Sequence, residues 1–272
     1  MGESFTNPFT DPFLPPTQQS HFHKVIALHE EKDLDWSKVS RAMPVLPRGW
    51  YELSRLPVED RIEFTRVFWL AKLPDSAFVN EIFEKRIVSF FDQIEEIGIY
   101  ATKVAERLPF EIHMVYGLAN ASGFFVGFPP ATINHIENLE KQFSNVGLPS
   151  DYIGFLQIHD GFSKYTDTGL IKIREMSKTY LKFQQMLGEE IIVAPDGQVI
   201  SPSSLIPFYE SYGLHCYQCF FTEWCPSGEM GNIYFSEHEK MMSNFFDSTS
   251  TTSQLAFPTF LDWLCFYLED TA

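Results

Sequence analysis

Apolar residues recur with helical periodicity in the first half of the chain. In residues 58–73 they fall on one broad face of a predicted helix: Ile62, Val67, Phe68 and Leu70. In residues 78–99 a longer apolar stripe predicts a second helix: Val79, Ile82, Phe83, Ile87, Phe90, Phe91, Ile94 and Ile97. Residues 110–130 instead predict a strand, a Gly-rich turn and a second short strand. We place a domain boundary near residue 125.

The second half alternates between the two periodicities. Its first predicted helix has Thr132 as N-cap and one apolar face: Ile133, Ile136, Leu139 and Phe143. Residues 148–162, LPSDYIGFLQIHDGF, predict a helix of about three turns that Gly161 ends in a left-handed conformation. A short strand, a helix over 175–188 and several strands up to residue 236 follow, and residues 258–269 predict a closing helix.

Charge narrows the choice of partners. The chain has 20 Lys and Arg against 36 Asp and Glu, and residues 126–272 alone carry 7 basic and 18 acidic side chains. Such a balance repels nucleic acid and anionic lipid, so we expect neither nucleic-acid binding nor membrane insertion. An acidic field attracts a basic protein partner, although solubility alone also explains it.

Cysteine usage and the absence of targeting patterns favour a cytoplasmic protein. Four cysteines in 272 residues do not make a disulfide framework, and no apolar run is long enough to span a membrane. The N-terminus lacks a signal-peptide pattern. Cys216 and Cys219 lie on a predicted strand, where they point to opposite faces. We therefore expect buried thiols there and no metal site.

Residues 1–20 are rich in Pro, Thr and Gln without periodicity and predict a disordered tail. MGESFT fits the loose myristoylation pattern with Gly2 as acceptor. NPF at 7–9 and DPF at 11–13 are typical of turns that present a Phe side chain to an adaptor protein.

His159 and Asp160 raise the question of catalysis. They are a possible general base with an orienting carboxylate, but adjacent residues at a helix end rarely point at each other. The chain also has no nucleophile in a recognisable elbow. We therefore predict a structural pair, no catalytic residue, no cofactor and no enzyme activity.

A mixture of rings and carboxylates predicts a partner-binding surface. Such groups bind Arg and Lys side chains by ion pairing and cation–π contact. The candidates are Tyr209, Glu210, Glu223, Trp224 and Glu229. Ordinary sheet packing with an acidic rim is the alternative.

From about residue 125 to 270 the chain contains, in order, INHIENLE, LPSDYIGFL running into HDGF, LIPFYE, CYQCFF, GNIYF and FLDWLCFYL. This order of motifs resembles the SUKH superfamily, which includes yeast cell-wall assembly regulators of SMI/KNR type and many bacterial immunity proteins. The motif positions are Leu148, Pro149, Asp151, Tyr152, Phe155, Leu156, Asp160 and Gly161. The resemblance implies an α+β protein-binding module, in which His159-Asp160-Gly161-Phe162 joins a helix to the first sheet strand.

We therefore predict a disordered tail over 1–20, a mostly α-helical N-terminal region over 21–124 and a SUKH-like α+β domain over 125–272. The predicted function is non-enzymatic binding of a basic protein, of immunity or regulatory type. The alternatives are a scaffold whose N-terminal helices bind a second partner, and an unrecognised enzyme with a pocket between the two domains.

Overall fold

A computed structural model describes residues 8–9, 21–73, 81–119, 123–165, 167–188, 192–193, 197, 199–212, 214–237, 241–242 and 255–269. The chain forms two compact units, residues 1–71 with 87–129 and 271–272, and residues 72–86 with 130–270. Gly2 and the DPF triplet lie outside the described residues.

The first unit combines helices with a sheet. Its elements are β1 (Lys24–Ala27), α1 (Trp36–Ala42), α2 (Arg48–Leu53), α3 (Val58–Lys72), α4 (Glu81–Asp92), β2 (Ile94–Lys103), β3 (Glu111–Leu118) and β4 (Phe124–Gly127), with α3 counted up to residue 71 and α4 from residue 87 onward. The N-terminal region is helical, as predicted. Strand β1 precedes its helices, and strands β2, β3 and β4 follow them. β1, β2, β3 and β4 pair antiparallel in that order. The two strands predicted within 110–130 are confirmed as β3 and β4.

Helix α3 forms as predicted, but its buried face is not the predicted one. The buried residues are Arg61, Thr65 and Trp69, whereas Val67 is exposed. Arg61 donates from Nε to the Ile97 carbonyl (2.6 Å), and its guanidinium also pairs with Glu96. A guanidinium whose donors are all directed at acceptors tolerates burial, which an apolar count does not detect.

The predicted helix over 78–99 is wrong after Asp92. Its stripe is correct at Ile87, Phe90 and Phe91, which are buried on α4. Residues 94–103 form β2 because pairing with β3 satisfies the hydrogen bonds of their backbone N–H and C=O groups. Ile also has a high propensity for strands. Gly98 suits this close packing, since a Cβ there would lie 2.6 Å from Tyr100 Cε2.

The second unit carries the remaining elements. Its helices are α5 (Ile133–Gln142), α6 (Ser150–Leu156), α7 (Ile173–Leu187) and α8 (Phe260–Glu269). Its strands are β5 (Phe162–Lys164), β6 (Gly169–Leu170), β7 (Ile192–Val193), β8 (Val199–Ile200), β9 (Leu205–Ser211), β10 (Cys216–Phe221), β11 (Asn232–Ser236), β12 (Met241–Met242) and β13 (Ala256–Phe257). The α+β class is confirmed.

A sheet at the centre of this unit runs in the order β12-β11-β10-β9-β6, with β13 also paired to β11. One face packs on α7 through a cluster that includes Phe183, Tyr217 and Phe235. The other face packs on α6 and α8, where Phe208 and Phe220 stack at 4.2 Å. Burial on both faces explains why these strands are rich in aromatic residues.

Two local predictions in the second unit are only partly correct. The Thr132 cap of α5 is confirmed, since its Oγ1 accepts from the His135 N–H (3.3 Å), but Ile133 is exposed at the first turn. Helix α6 ends at Leu156, well before Gly161. No helix within the described ranges is long and apolar enough to cross a membrane.

Candidate functional site

Asp151, the acidic residue of the LPSD motif, links the start of α6 to the start of α8. Its Oδ1 accepts from the Tyr152 N–H (2.8 Å) and its Oδ2 from the Leu261 N–H (2.9 Å). Leu261 is the second residue of α8, whose first N–H groups have no partner inside the helix. Burial raises the pKa of Asp151 to about 6. This carboxylate therefore acts as a cap across 110 residues of sequence.

Asp160 performs the same task for α7. Its Oδ1 accepts from the N–H of Ile173, the first residue of that helix, at 2.7 Å. Burial raises the pKa of Asp160. The neighbouring His159 ring is buried and stacks on Phe162 at 5.5 Å. Asp160 thus accepts from a backbone N–H of α7 and the His159 ring packs on Phe162, and both contacts are structural.

Gly161 has a φ of 100°, so its left-handed conformation is confirmed. It does not end the helix, however, since α6 stops at Leu156 and Gln157 is its C-cap. Gly161 turns the chain directly into β5. The motif therefore joins a helix to a strand, as predicted. The turn at Gly161 comes four residues after the C-cap of α6 and is separate from the end of that helix.

The remaining motif residues fill the space between α6, α8 and the sheet. Tyr152 contacts the rings of Phe220 (5.1 Å) and Phe260 (5.3 Å), and Phe155 contacts Phe260 at 5.6 Å. Leu156 is also buried. These side chains provide the packing that keeps the two capping carboxylates in place.

Leu148 and Pro149 lead into α6. Pro149 is the buried N-cap position, where a missing N–H costs nothing, and Leu148 is partly buried beside it. Every motif position is thus part of the internal framework of the second unit.

A model of the SMI1 / KNR4 family (SUKH-1) matches residues 130–265, half of the chain. The chain belongs to this family. None of the curated proteins and none of the solved structures compared with it matches. The recognition of a SUKH domain is confirmed, and the matched range contains all of the motif from Leu148 to Gly161.

The SUKH domain does not bring the five predicted surface residues together. Tyr209 and Glu210 lie on strand β9 rather than in a loop. Successive strand residues point to opposite faces. Tyr209 accordingly contacts Trp263 of α8 (5.2 Å), while Glu210 accepts from the Tyr217 hydroxyl (3.3 Å) on the α7 side.

Glu223, Trp224 and Glu229 lie at the other end of the same strands. Tyr209 pairs with Gln218, and Glu223 follows five residues later, about 15 Å further along the strand direction. Trp224 packs on the α7-side core. Glu229 accepts from the Ser150 N–H (2.9 Å) and caps α6, so the structure gives it an architectural role.

Exposed apolar side chains gather instead at the β9–β10 hairpin. Tyr212 and Leu214 are 71% and 61% exposed there, and Tyr165 in the β5–β6 turn is 64% exposed. The pairing of β6 with β9 brings this turn to the same end of the sheet. We call these three residues, with Glu210 and Glu237, the hairpin surface.

Asp167 fixes the relative position of the turn and the hairpin. Its Oδ1 accepts from the Tyr212 N–H (3.0 Å). Its Oδ2 accepts from two phenol groups, Tyr209 (2.7 Å) and Tyr267 (2.9 Å). Burial beside this carboxylate raises the pKa of both tyrosines, which stay protonated donors. The exposed rings therefore stand on a rigid base.

Of the five residues of the hairpin surface, only Glu210 was predicted from the sequence, whereas Tyr165, Tyr212, Leu214 and Glu237 were not. The signal was present in ESYGLH, residues 210–215, where a glycine turn carries a tyrosine and a leucine with no core periodicity. Large apolar residues in a tight turn are a sign of an exposed contact surface.

Cys216 and Cys219 lie on a strand, as predicted. Cys216 and Cys219 are free and buried on β10. Cys219 belongs to the α7-side cluster, and Cys216 pairs in register with Ser236 on the opposite face. In the part of the chain that the structure describes, no group of three or more His, Cys, Asp or Glu side chains is placed to hold a metal ion.

Proposed function

We propose that the SUKH domain of this chain binds a basic protein partner through the hairpin surface. The observation that carries the proposal is the exposure of Tyr165, Tyr212 and Leu214 at one end of a rigid sheet. Exposed aromatic residues on a preorganised base supply contact area at a low entropy cost. Members of the SUKH superfamily act as protein-interacting immunity modules.

The sign of the surrounding charge supports a cationic partner. From Phe183 to Glu237 the sequence contains no Lys or Arg. Glu210 lies on β9, the first strand of the hairpin. The Glu237 side chain is 41% exposed, and its Oε2 lies 3.6 Å from Nδ1 of His215, which directly precedes β10. Such a field raises the rate of encounter with a basic protein and disfavours an acidic one.

The mechanism that follows is occlusion. The acidic rim attracts the partner, and the rings of Tyr165 and Tyr212 then bury area at its surface and slow dissociation. A toxin's catalytic domain is a partner of this kind, which gives the immunity version of the proposal. We further propose that the protein is not an enzyme and that it acts in the cytoplasm.

The test is affinity capture with the full chain, followed by mass spectrometry and titration of the captured partner. We expect Tyr212→Ser with Leu214→Ser to weaken binding by a factor of roughly ten or more. We also expect affinity to fall between about 50 mM and about 500 mM salt, where screening becomes strong. Circular dichroism checks that the variants fold.

Glu237→Lys and Glu223→Lys form a matched pair, because these two acids lie at opposite ends of the strands, with Glu223 exposed and Glu237 half-buried. We expect Glu237→Lys to weaken binding of the captured partner and Glu223→Lys to change its affinity little. If Glu223→Lys weakened binding and Glu237→Lys did not, the binding site would instead be the loop around Trp224. Binding that ignores salt and all these substitutions would end the proposal.

A further inference from the structure

The first unit holds a phenylalanine from the N-terminal segment on its sheet. Phe9 belongs to the NPF triplet, inside the range predicted as a disordered tail. Its ring lies 5.6 Å from Phe22, 5.4 Å from Tyr100 and 5.1 Å from His113. We call Phe22, Tyr100 and His113 the aromatic cup.

The aromatic cup stands on the sheet face opposite α3 and α4. Tyr116 on β3 faces the helices, where it accepts from Trp69 Nε1 (3.1 Å). His113 on the same strand, an odd number of positions away, points to the other side and pairs with Tyr100. Tyr100 and His113 are almost completely buried. This face of the β1–β4 sheet is therefore a packed apolar surface, and Phe9 lies against it.

The sequence around Phe9 repeats the residue that the cup holds. Residues 5–13 read FTNPFTDPF, so Phe-Thr-Asn/Asp-Pro occurs twice and is followed by a third Phe. Phe9 and Phe13 each follow a proline, and Phe5 precedes them at the same four-residue spacing; of the three, the described residues include Phe9. A core residue needs no such copies, whereas repeated short motifs are typical of exchangeable ligands.

We propose that the aromatic cup is a binding site for a Pro-Phe segment and that the chain's own Phe9 occupies it as an intramolecular ligand. Contact with one ring gives a limited affinity, which tethering through the short segment up to Phe22 compensates. A Pro-Phe segment from another chain binds the cup only after Phe9 leaves it. This proposal concerns the first unit and does not depend on the hairpin surface.

The test uses the full chain with Phe5, Phe9 and Phe13 all changed to Ala. The probe is a fluorescent peptide of residues 3–15, and anisotropy measures its binding. We expect the triple variant to bind the peptide at least about tenfold more tightly than the unmodified chain, because burial of one Phe is worth roughly that factor. Phe64→Ala, which changes an exposed ring on α3, should behave like the unmodified chain.

Specificity is checked with a peptide in which the same phenylalanines are Ala. Equal binding of both peptides to the triple variant, or saturable binding of neither, overturns the proposal. If the triple variant does not fold, Phe9→Leu keeps an apolar side chain, and weaker self-occupancy should increase peptide binding. A folded Phe9→Leu chain that binds no more peptide than the unmodified chain means that Phe9 is ordinary core.

Discussion

The buried carboxylate of Asp151 gives the sharpest quantitative test of the fold. The side chain is 6% exposed and accepts two backbone N–H groups, one from Tyr152 and one from Leu261. Asp151→Ala leaves both donors without this acceptor. Each unsatisfied buried donor costs about 1–3 kcal/mol, so we expect a loss of about 2–4 kcal/mol in the free energy of unfolding.

Asp151→Asn isolates the charge, because Asn resembles the protonated acid and does not titrate. The pKa of Asp151 rises from 3.8 to about 6 on folding. Between these values the folded chain binds a proton that the unfolded chain has released, so stability falls as pH rises. At about 1.4 kcal/mol per pH unit, the free energy of unfolding of the wild type should fall relative to that of Asp151→Asn by about 2.4 kcal/mol from pH 4 to 7.

The assay is urea denaturation of the full chain, followed by circular dichroism at four pH values. Hydrogen exchange of the first turn of α8 gives a local reading, because the Leu261 N–H is bonded to Asp151. The exposed Asp262 in the same turn provides a matched Asp→Asn control. A stability difference for Asp151→Asn that stays constant or grows with pH would refute the reasoning. So would unchanged exchange at Leu261 in Asp151→Ala.

Three further predictions concern a second helix cap, a tightly packed glycine and the reactivity of the thiols. Asp160→Ala should destabilise the protein by about 1–2 kcal/mol and speed hydrogen exchange in the first turn of α7, because a helix cap is lost; unchanged exchange would contradict the cap. Gly98→Ala should cost about 1–3 kcal/mol, since the new Cβ meets Tyr100, and a thermal melt identical to the wild type would show that the contact relaxes freely. An alkylating reagent should modify the exposed Cys225 before Cys219, where burial raises the thiol pKa, and peptide mapping would reveal the opposite order.

Local patterns were enough to predict features whose partners lie within a few residues. The Thr132 cap needs only the N–H three positions later, and the placement of Cys216 and Cys219 on opposite faces needs only strand alternation. Glycine at position 161 indicated a left-handed turn for the same reason. The SUKH motif from Leu148 to Gly161 could also be recognised in the sequence, because its residues lie within a short stretch of the chain.

Long-range pairing settled what those patterns left open. Residues 94–99 continue a helical stripe, yet they form a strand, since β3 offers backbone partners that an extended helix would forgo. Arg61 lies on the buried face of α3 in place of an apolar residue because the carbonyl groups of Ile97, 36 residues away, and of Leu56 accept its N–H donors. The residues that were expected to share one surface were separated by strand register and alternation.

The carboxylates show the same division most clearly. Asp151 and Glu229 carry a negative charge that the sequence alone associates with a partner or with solubility. Their actual partners are helix N-termini, and for Asp151 that partner is 110 residues away. The hairpin surface likewise requires the turn that carries Tyr165 to lie at the same end of the sheet as Tyr212. Proximity of this kind depends on how the chain closes on itself, which no window of neighbouring residues contains.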